Sequence, residues 1–274
     1  MPASHFTRST AIMTIGRCSW STTWSAPAGR WAEDESMDGE PDIAIPARAL
    51  GDTARGLIAT ALLGNRQIPA GELARTVGVS PSTASEHLRA LREAGLVEVE
   101  HRGRNRFYRL ANQDVARAIE ALQAIAPTSR VRSLRQSTIS MDLRVGRTCY
   151  DHLAGEIGLR ITDLLVVAAV VPALTVGAVA EAPHPFPRGA TVERLGLRAP
   201  EGRRPWARGC LDWSGRRPHV GGQLGAQVLE SLEADEWVVR RRTSRAVRLT
   251  PRGESALESL EKQVARHTVR RSPG

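Results

Sequence analysis

The sequence predicts a mainly α-helical protein with small β-wings, of the α+β class. It is expected to hold a winged helix-turn-helix, followed by a C-terminal helical domain that ends in a second winged-helix-like unit. Two observations support this class. A short helix, a glycine turn and a capped helix span residues 69–94, and a strand, a basic turn and a second strand follow over 96–110. The order helix, strand, basic turn and strand returns over 218–249.

Composition limits the partners. A chain of 274 residues suggests about two domains. The net charge of +9 favours a polyanionic partner, although the positive charge is almost all arginine, with Lys262 the one lysine. Aromatic residues make up 4%, which gives no stacking platform for single-stranded nucleic acid. Three cysteines and no signal-peptide pattern predict a reducing, cytoplasmic setting.

The beginning of the chain differs from the rest. Residues 1–36 are rich in Ser, Thr and Trp and show no helical or strand period, so we expect a disordered tail or a mis-assigned start, with Met37 as the alternative start. Cys18 belongs to this segment. Residues 41–126 are then predicted to form the DNA-binding domain, which opens with two short helices that end by Gly64.

The segment 69–94 has the local signals of a helix-turn-helix. A helix over 69–77 ends at Gly78, where a left-handed turn is easiest. Ser80 is an N-cap residue and Pro81 fits the first helical position of the next helix. Ala84, Leu88 and Leu91 give that helix one apolar stripe. Its opposite face suits the major groove, because hydroxyls approach phosphates closely and arginines offer bidentate donors.

A basic hairpin is predicted directly after this helix. Strands at 96–100 and 106–110 flank the tip 102–105, which is typical of a wing that lies over phosphates. An amphipathic helix follows at 113–126. The predicted DNA contacts from helix and wing are Ser80, Ser82, Thr83, Ser85, Glu86, His87, Arg89, Arg92, Arg102, Arg104, Asn105 and Arg106. For His87, at the edge of the apolar stripe, packing is the alternative to a base contact.

Residues 41–126 resemble the ArsR/SmtB winged-helix repressors. The resemblance rests on GDTAR, on the S-x-S-T-x-S-x-H-L run from Ser80 to Leu88, and on the A-G-L-V-x-x-x-R-x-G-R entry into the wing. It implies a homodimer joined by the helices before and after the winged-helix core. It also implies that each protomer places its recognition helix in the major groove of an inverted-repeat operator in double-stranded DNA.

The sequence differs from this family in the residues that bind metal ions. Its metal sensors often carry Cys-x-Cys in the helix before the turn, whereas residues 69–74 hold no thiol. Others use Asp and His on the last helix, where Asp114 stands alone. Because soft or borderline metals need thiolate or imidazole ligands, neither family site is predicted in 41–126. A controlling signal, small molecule or metal, is therefore expected to enter through the second half.

The second half is divided into a linker with a helix, 127–146, and an effector or dimerisation domain, 147–267. A helix is predicted over 147–165, and the apolar run 164–180 favours a buried helix plus strand over a membrane span. A membrane-tethered regulator is the remote alternative. A further helix at 218–232 precedes the second hairpin, whose arginines suggest phosphate contacts or a solvated basic face.

Two clusters in 147–267 could carry chemistry, and their members are Cys149, His152, Cys210, Asp212 and His219. On the predicted helix, Cys149 and His152 would share a face. Two thiols, two imidazoles and a carboxylate are compatible with a zinc-like metal site, although the sequence commits to no cofactor. A redox thiol pair, ordinary packing, and an organic effector pocket around Trp206, Trp213 and Tyr150 are the alternatives. Neither a P-loop nor a GxGxxG pattern occurs, so an enzyme is not predicted.

Overall fold

The computed structural model describes residues 40–103, 105–127 and 133–271. The predicted tail 1–36, with Cys18, and the wing-tip residue Arg104 lie outside these described residues. In the part that is described, helices predominate and the strands are short. The α+β class predicted from the sequence is confirmed.

The first part of the fold contains five helices and a three-stranded antiparallel sheet. Its elements are α1 (Ala44–Leu50), α2 (Thr53–Ala61), β1 (Ile68–Pro69), α3 (Ala70–Val77), α4 (Pro81–Glu93), β2 (Val97–Arg102), β3 (Asn105–Leu110) and α5 (Gln113–Ile125). The sheet has the order β1-β3-β2, and β2 pairs with β3 from Val97 opposite Leu110 to Arg102 opposite Asn105. The predicted helix-turn-helix and wing are confirmed.

Local signals fix this part. The Asp52 carboxylate accepts a hydrogen bond from the Arg55 amide at 2.9 Å and begins α2. Gly78 ends α3 with φ 74°, the left-handed region that glycine adopts without a steric cost. The stripe Ala84, Leu88 and Leu91 is buried against α2, α3 and the sheet, so the opposite face of α4 is left to solvent.

The second part of the fold adds five helices and three small sheets. Its elements are α6 (Leu134–Val145), β4 (Arg147–Thr148), β5 (Leu153–Ala154), α7 (Gly155–Val167), β6 (Val179–Ala180), α8 (Ala190–Arg194), β7 (Ala207–Leu211), β8 (Pro218–Gly221), α9 (Gly222–Ala234), β9 (Val238–Arg240), β10 (Val247–Leu249) and α10 (Pro251–Arg271). The sheets are β4-β5, β6-β7-β8 and β9-β10.

The predicted helix over 147–165 is wrong for its first eight residues. Residues 147–154 form the β4–β5 hairpin, whose turn is closed by the Cys149 amide donating to the His152 carbonyl at 3.0 Å. The helix starts only at Gly155, where φ is 80° and the Arg144 carbonyl passes so close that a Cβ would lie 2.7 Å from it. Tertiary contacts therefore override the helical pattern here.

The apolar run is divided by a helix end. Helix α7 stops at Val167, and the Val170 amide returns to the Leu165 carbonyl at 2.9 Å, as in a Schellman motif. Of the predicted helix plus strand, the strand is only β6, whose Val179 is half exposed. Among the described residues no helix combines the length and hydropathy that a membrane span needs.

The predicted helix over 218–232 begins as a strand. β8 takes Pro218–Gly221 and pairs with β7, so that Cys210 lies opposite His219. Helix α9 follows from Gly222, which has φ 80°, and the Trp206 and Pro205 carbonyls leave no space there for a Cβ, so both features require glycine.

The second winged-helix-like unit is confirmed as α9, β9, β10 and α10. It repeats the turn that connects α4 to β2. The Leu96 amide donates to the Leu91 carbonyl at 2.9 Å in the first unit, and the Trp237 amide donates to the Leu232 carbonyl at 2.8 Å in the second. The predicted cap of the closing helix is present, since Thr250 Oγ1 accepts from the Gly253 amide at 3.0 Å.

Two buried hydrophobic cores stabilise the protein. One lies under the helix-turn-helix, and the other surrounds α7 and α9, with Trp237 fully buried in it. Asp42–Gly274 clusters as one unit. Tyr150, from the β4–β5 turn, packs against the first core, so this turn lies at the joint between the two parts.

Candidate nucleic-acid interface and buried cysteine–histidine cluster

The start of α4 presents a row of hydroxyl groups. Ser80 Oγ accepts from the Thr83 amide at 3.1 Å and lies 2.8 Å from both Ser82 Oγ and Thr83 Oγ1. Ser85 Oγ donates to the Pro81 carbonyl at 2.9 Å. Except for the half-buried Thr83, these side chains are exposed. A helix N-terminus with exposed hydroxyls can accept a phosphate and approach base edges.

We expect Ser80→Ala to lower the free energy of unfolding by about 1 kcal/mol, because the Thr83 amide loses its cap. The matched control is Ser255→Ala, an exposed serine within α10, where alanine has the better helix propensity. Urea denaturation measures both. Equal effects of the two substitutions would contradict the capping role of Ser80.

Charged residues continue this face of α4. Glu86, Arg89 and Arg92 are exposed. Arg89 pairs with Glu93 at 3.5 Å, but its side chain is 71% exposed, so the pair is weak and easily exchanged for a base edge. Within the described part of the chain, Arg92 has no ion-pair partner.

His87 points away from this face. Its Nδ1 lies 3.8 Å from an oxygen of Asp52, the residue that caps α2, and its side chain is 16% exposed. His87 therefore lies where a packing role is expected, rather than where it could contact a base.

The wing supplies the next charges. Arg102 donates to Glu100 at 2.8 Å, contacts Gln67, and lies 5.2 Å from the centre of the Phe107 ring, so it is held on the stem of the wing. Asn105 and Arg106 are exposed at the start of β3. The geometry therefore leaves these two residues free to approach phosphates, with Arg102 ordered behind them.

The structure brings the five predicted residues of the second half together. Cys149 and His152 come from the β4–β5 hairpin, and Cys210 and His219 from opposite positions of β7 and β8. His152 Nε2 lies 3.2 Å from His219 Nε2, and the Cys149, His152 and His219 donor atoms all lie within 4.8 Å of one another. The Cys210 thiol is hydrogen-bonded to that of Cys149. All four side chains are buried.

Carboxylates lie behind both imidazoles. His152 Nδ1 is 3.2 Å from Asp151 Oδ1, and Arg204 holds Asp151 with two bonds of 2.6 and 2.9 Å. His219 Nδ1 is 3.7 Å from Asp212 Oδ2, too far for a hydrogen bond. Asp212 itself is fixed by Arg147 at 3.0 Å. Sequence reasoning missed Asp151 as a partner, although its place beside His152 is the signal that could have shown it.

The pKa values of the cluster residues are shifted in different directions. The hydrogen bond with Cys210, together with burial, raises the pKa of Cys149, and the same bond lowers the pKa of Cys210. Burial lowers the pKa of His152, but Cys149 and Asp151 outweigh it and the result is about 9. For His219, burial and the nearby His152 lower the pKa. The two thiols thus have pKa values shifted in opposite directions, and so do the two imidazoles.

The three residues of the predicted aromatic effector pocket have different neighbours in the described structure. Trp206 is buried against Phe186, with ring centres 5.5 Å apart. Trp213 lies under the Arg147 guanidinium, 4.3 Å from the centre of its ring. Tyr150 packs against the helix-turn-helix core.

Most arginines of the second hairpin are paired with carboxylates. Arg240 pairs with Glu233, and Arg241 and Arg248 both pair with Asp142. Arg245 is buried on Glu120. Carboxylates therefore pair with four arginines of this hairpin, whereas Arg242 is exposed and has no ion pair within the described residues.

The fold and the exposed face of α4 define a winged helix-turn-helix protein that reads DNA. A family model described as a helix-turn-helix domain matches residues 50–100. The HTH-type transcriptional regulator YdfF of Bacillus subtilis is 40% identical over 222 residues, which are 80% of this chain and 96% of YdfF. The biofilm growth-associated repressor of Agrobacterium fabrum is 38% identical over 84 residues, 31% of this chain and 71% of that protein.

Among solved structures, the homodimeric winged helix-turn-helix domain Mb0332 of Mycobacterium bovis is 32% identical, covers 32% of this chain and 89% of that domain, and has a TM-score of 0.29. The match to YdfF is longer than the helix-turn-helix region and extends into the second half of the chain. The chain belongs to the ArsR/SmtB-type winged helix-turn-helix transcriptional regulators, and it is a DNA-binding regulator of transcription.

Proposed function

We propose that this regulator is a homodimeric repressor that acts in the cytoplasm on an inverted-repeat operator. The observation that carries the proposal is the exposed face of α4 beside the first wing, with its hydroxyls at the helix start and its arginines further along. Residues 41–126 would read DNA, and residues 147–267 would regulate rather than catalyse.

Apolar side chains on the flanking helices support the dimer. Ile43 and Ile45, at α1, are 79% and 50% exposed, and Leu122 and Ile125, on α5, are 48% and 80% exposed. Exposed apolar surface of this kind marks an interaction site, and these are the helices that join protomers in the proteins this chain resembles. A second copy of the chain covers both helices at once. The repressor role is proposed by likeness to the Agrobacterium fabrum repressor.

The residue roles follow from their positions. Arg89 and Glu86 would contact base edges, and Arg92 would contact the DNA backbone. The entry to the groove would be lined by the hydroxyl residues Ser80, Ser82, Thr83 and Ser85. The wing contacts would be Arg102, Arg104, Asn105 and Arg106. His87 would position α4 through Asp52.

Selection of the full chain over random duplexes tests the function. We expect an inverted repeat to be enriched, with affinity that falls steeply as salt rises because phosphate contacts release counterions. Arg104→Ala should weaken binding to all sequences, whereas Arg89→Ala should relax the preference at one base of each half-site, with a loss of about 10- to 100-fold per contact.

The matched control is Arg198→Ala, which removes an exposed arginine paired with Glu230 in the second part of the fold. It should leave DNA affinity unchanged. Absence of an enriched duplex would contradict the function. A uniform loss at both Arg89 and Arg104 would contradict the division of roles, and a monomer at working concentration would contradict the dimer.

A further inference from the structure

We propose that Cys149, His152, Cys210 and His219 form a binding site for a zinc-class divalent metal ion, separate from the DNA-reading surface. The site lies between the β4–β5 hairpin and the β7–β8 pair, where one thiol and two imidazoles lie within 4.8 Å of one another and Cys210 lies opposite His219 on the neighbouring strand. Two sulfur and two nitrogen donors are a donor set that Zn²⁺ prefers in closed, four-coordinate sites.

The distances fit a tetrahedral ion. With Zn–N bonds of about 2.0–2.1 Å, two imidazole nitrogens on one tetrahedral ion are about 3.3 Å apart. His152 Nε2 and His219 Nε2 are 3.2 Å apart and face each other. The Cys149 donor lies within 4.8 Å of both, and the Cys210 sulfur is within hydrogen-bonding reach of Cys149. Cys149, His152 and His219 therefore place three donors around one centre, and Cys210, beside Cys149, would supply the fourth.

The outer nitrogens fit as well. Metal-bound histidines usually donate their other ring N–H to a carboxylate, which orients the ring. Here Asp151 lies within hydrogen-bonding distance of His152 Nδ1, at 3.2 Å, whereas Asp212 lies 3.7 Å from His219 Nδ1 and would have to move closer to accept its N–H. Each carboxylate is in turn held by an arginine, Arg204 and Arg147.

Without an ion, this arrangement leaves a buried polar atom unpaired. The two Nε2 atoms can share one proton, but His219 Nδ1 then has no hydrogen-bond partner in the described structure. An unpaired buried polar atom costs free energy. With a metal ion, both Nε2 atoms become ligands, and both Nδ1 atoms carry protons directed to the carboxylates. Simple packing offers no comparable arrangement for the two facing imidazoles.

The position links the site to the DNA-reading part. The Cys149 carbonyl accepts a hydrogen bond of 3.0 Å from the Gly64 amide, directly after α2, and α2 packs against α4. An ion that fixes the turn 149–152 therefore also fixes the surface on which α2 rests.

The experiment measures metal bound by the full chain purified under reductant and then desalted after addition of Zn²⁺ or Co²⁺. We expect one ion per chain, and for Co²⁺ the absorption bands of a tetrahedral, thiolate-bound ion. Cys210→Ser and His219→Gln should each lower affinity by more than about 100-fold, and Asp151→Asn by about 10- to 100-fold.

The controls are His101→Gln and His184→Gln, which alter two exposed histidines outside the cluster. Both should keep one ion per chain. Circular dichroism checks that each variant is folded. If a ligand variant does not fold, the site is judged from the Co²⁺ spectrum of the unaltered chain and from the metal affinity of Asp151→Asn. A reduced chain that binds neither ion would overturn the site, whether or not air oxidation then yields a Cys149–Cys210 disulfide. Equal loss in the control variants would also overturn it.

Discussion

Glu120→Ala is expected to lower the free energy of unfolding by about 3–5 kcal/mol. Glu120 lies on α5, is 2% exposed, and contacts Arg245 of the second hairpin. It is also 3.8 Å from the fully buried Arg147. Removal of the carboxylate leaves Arg245 as a buried cation whose remaining partners are uncharged, Gln123 and the Thr148 carbonyl. Breaking a buried pair on one side is far more costly than losing an exposed one.

The matched control for Glu120 is Asp163→Ala. Asp163 pairs with Arg217 at 2.6 Å, but both side chains are about half exposed, so the loss should stay below about 1 kcal/mol. Urea denaturation followed by circular dichroism compares the two variants. The form of the unfolding curve should also change. Because the Glu120–Arg245 pair joins α5 to the second part of the fold, Glu120→Ala should divide a single unfolding transition into two. Equal, small losses in both variants would contradict the role of Glu120.

The sequence predicts the DNA-reading part well because its signals are local. Ser80 and Gly78 act within one turn of their own position, and the stripe from Ala84 to Leu91 is set by helical periodicity alone. The wing needs only a basic turn between two adjacent strands. None of these features requires knowledge of a distant contact.

The second half depends on contacts that are distant in sequence. The predicted helix over 147–165 fails because Arg147 is drawn to Asp212, 65 residues away, and the Thr148 amide donates to the Arg245 carbonyl. Helical periodicity in the sequence cannot predict these distant contacts. The hairpin arginines likewise find Asp142 and Glu120 only through tertiary packing.

The buried cysteine–histidine cluster depends on both local and distant features of the sequence. Its residue types are visible in the sequence, and Cys149 and His152 are near neighbours along the chain. Their approach to Cys210 and His219 depends on the pairing of β7 with β8 and on the β4–β5 turn, which no local pattern specifies. The predicted shared helical face is wrong, since a turn and not a helix brings Cys149 beside His152.

Gly64→Ala is expected to lower the free energy of unfolding by about 2–5 kcal/mol, because two costs add. Gly64 has φ 80°, where a Cβ costs about 1–2 kcal/mol. The new methyl group would also lie 2.1 Å from Thr148 Oγ1 and 3.1 Å from Arg245 Cβ, and such overpacking costs about 1–3 kcal/mol. Thr148 is buried and β-branched, so its side chain cannot rotate away freely.

Gly78→Ala is the control that separates the two costs. Gly78 has φ 74°, almost the same backbone conformation, but nothing lies within 4 Å of an added Cβ. It should therefore show only the backbone cost of about 1–2 kcal/mol. The difference between the two variants in urea denaturation measures how tightly the end of α2 is packed on the β4–β5 turn. Thr148→Ala in the Gly64→Ala background should recover part of that difference, because it removes the closest atom. Equal losses for Gly64→Ala and Gly78→Ala, or no recovery, would mean that this joint yields to the extra methyl group and cannot hold α2 in a fixed position against the turn that carries Cys149.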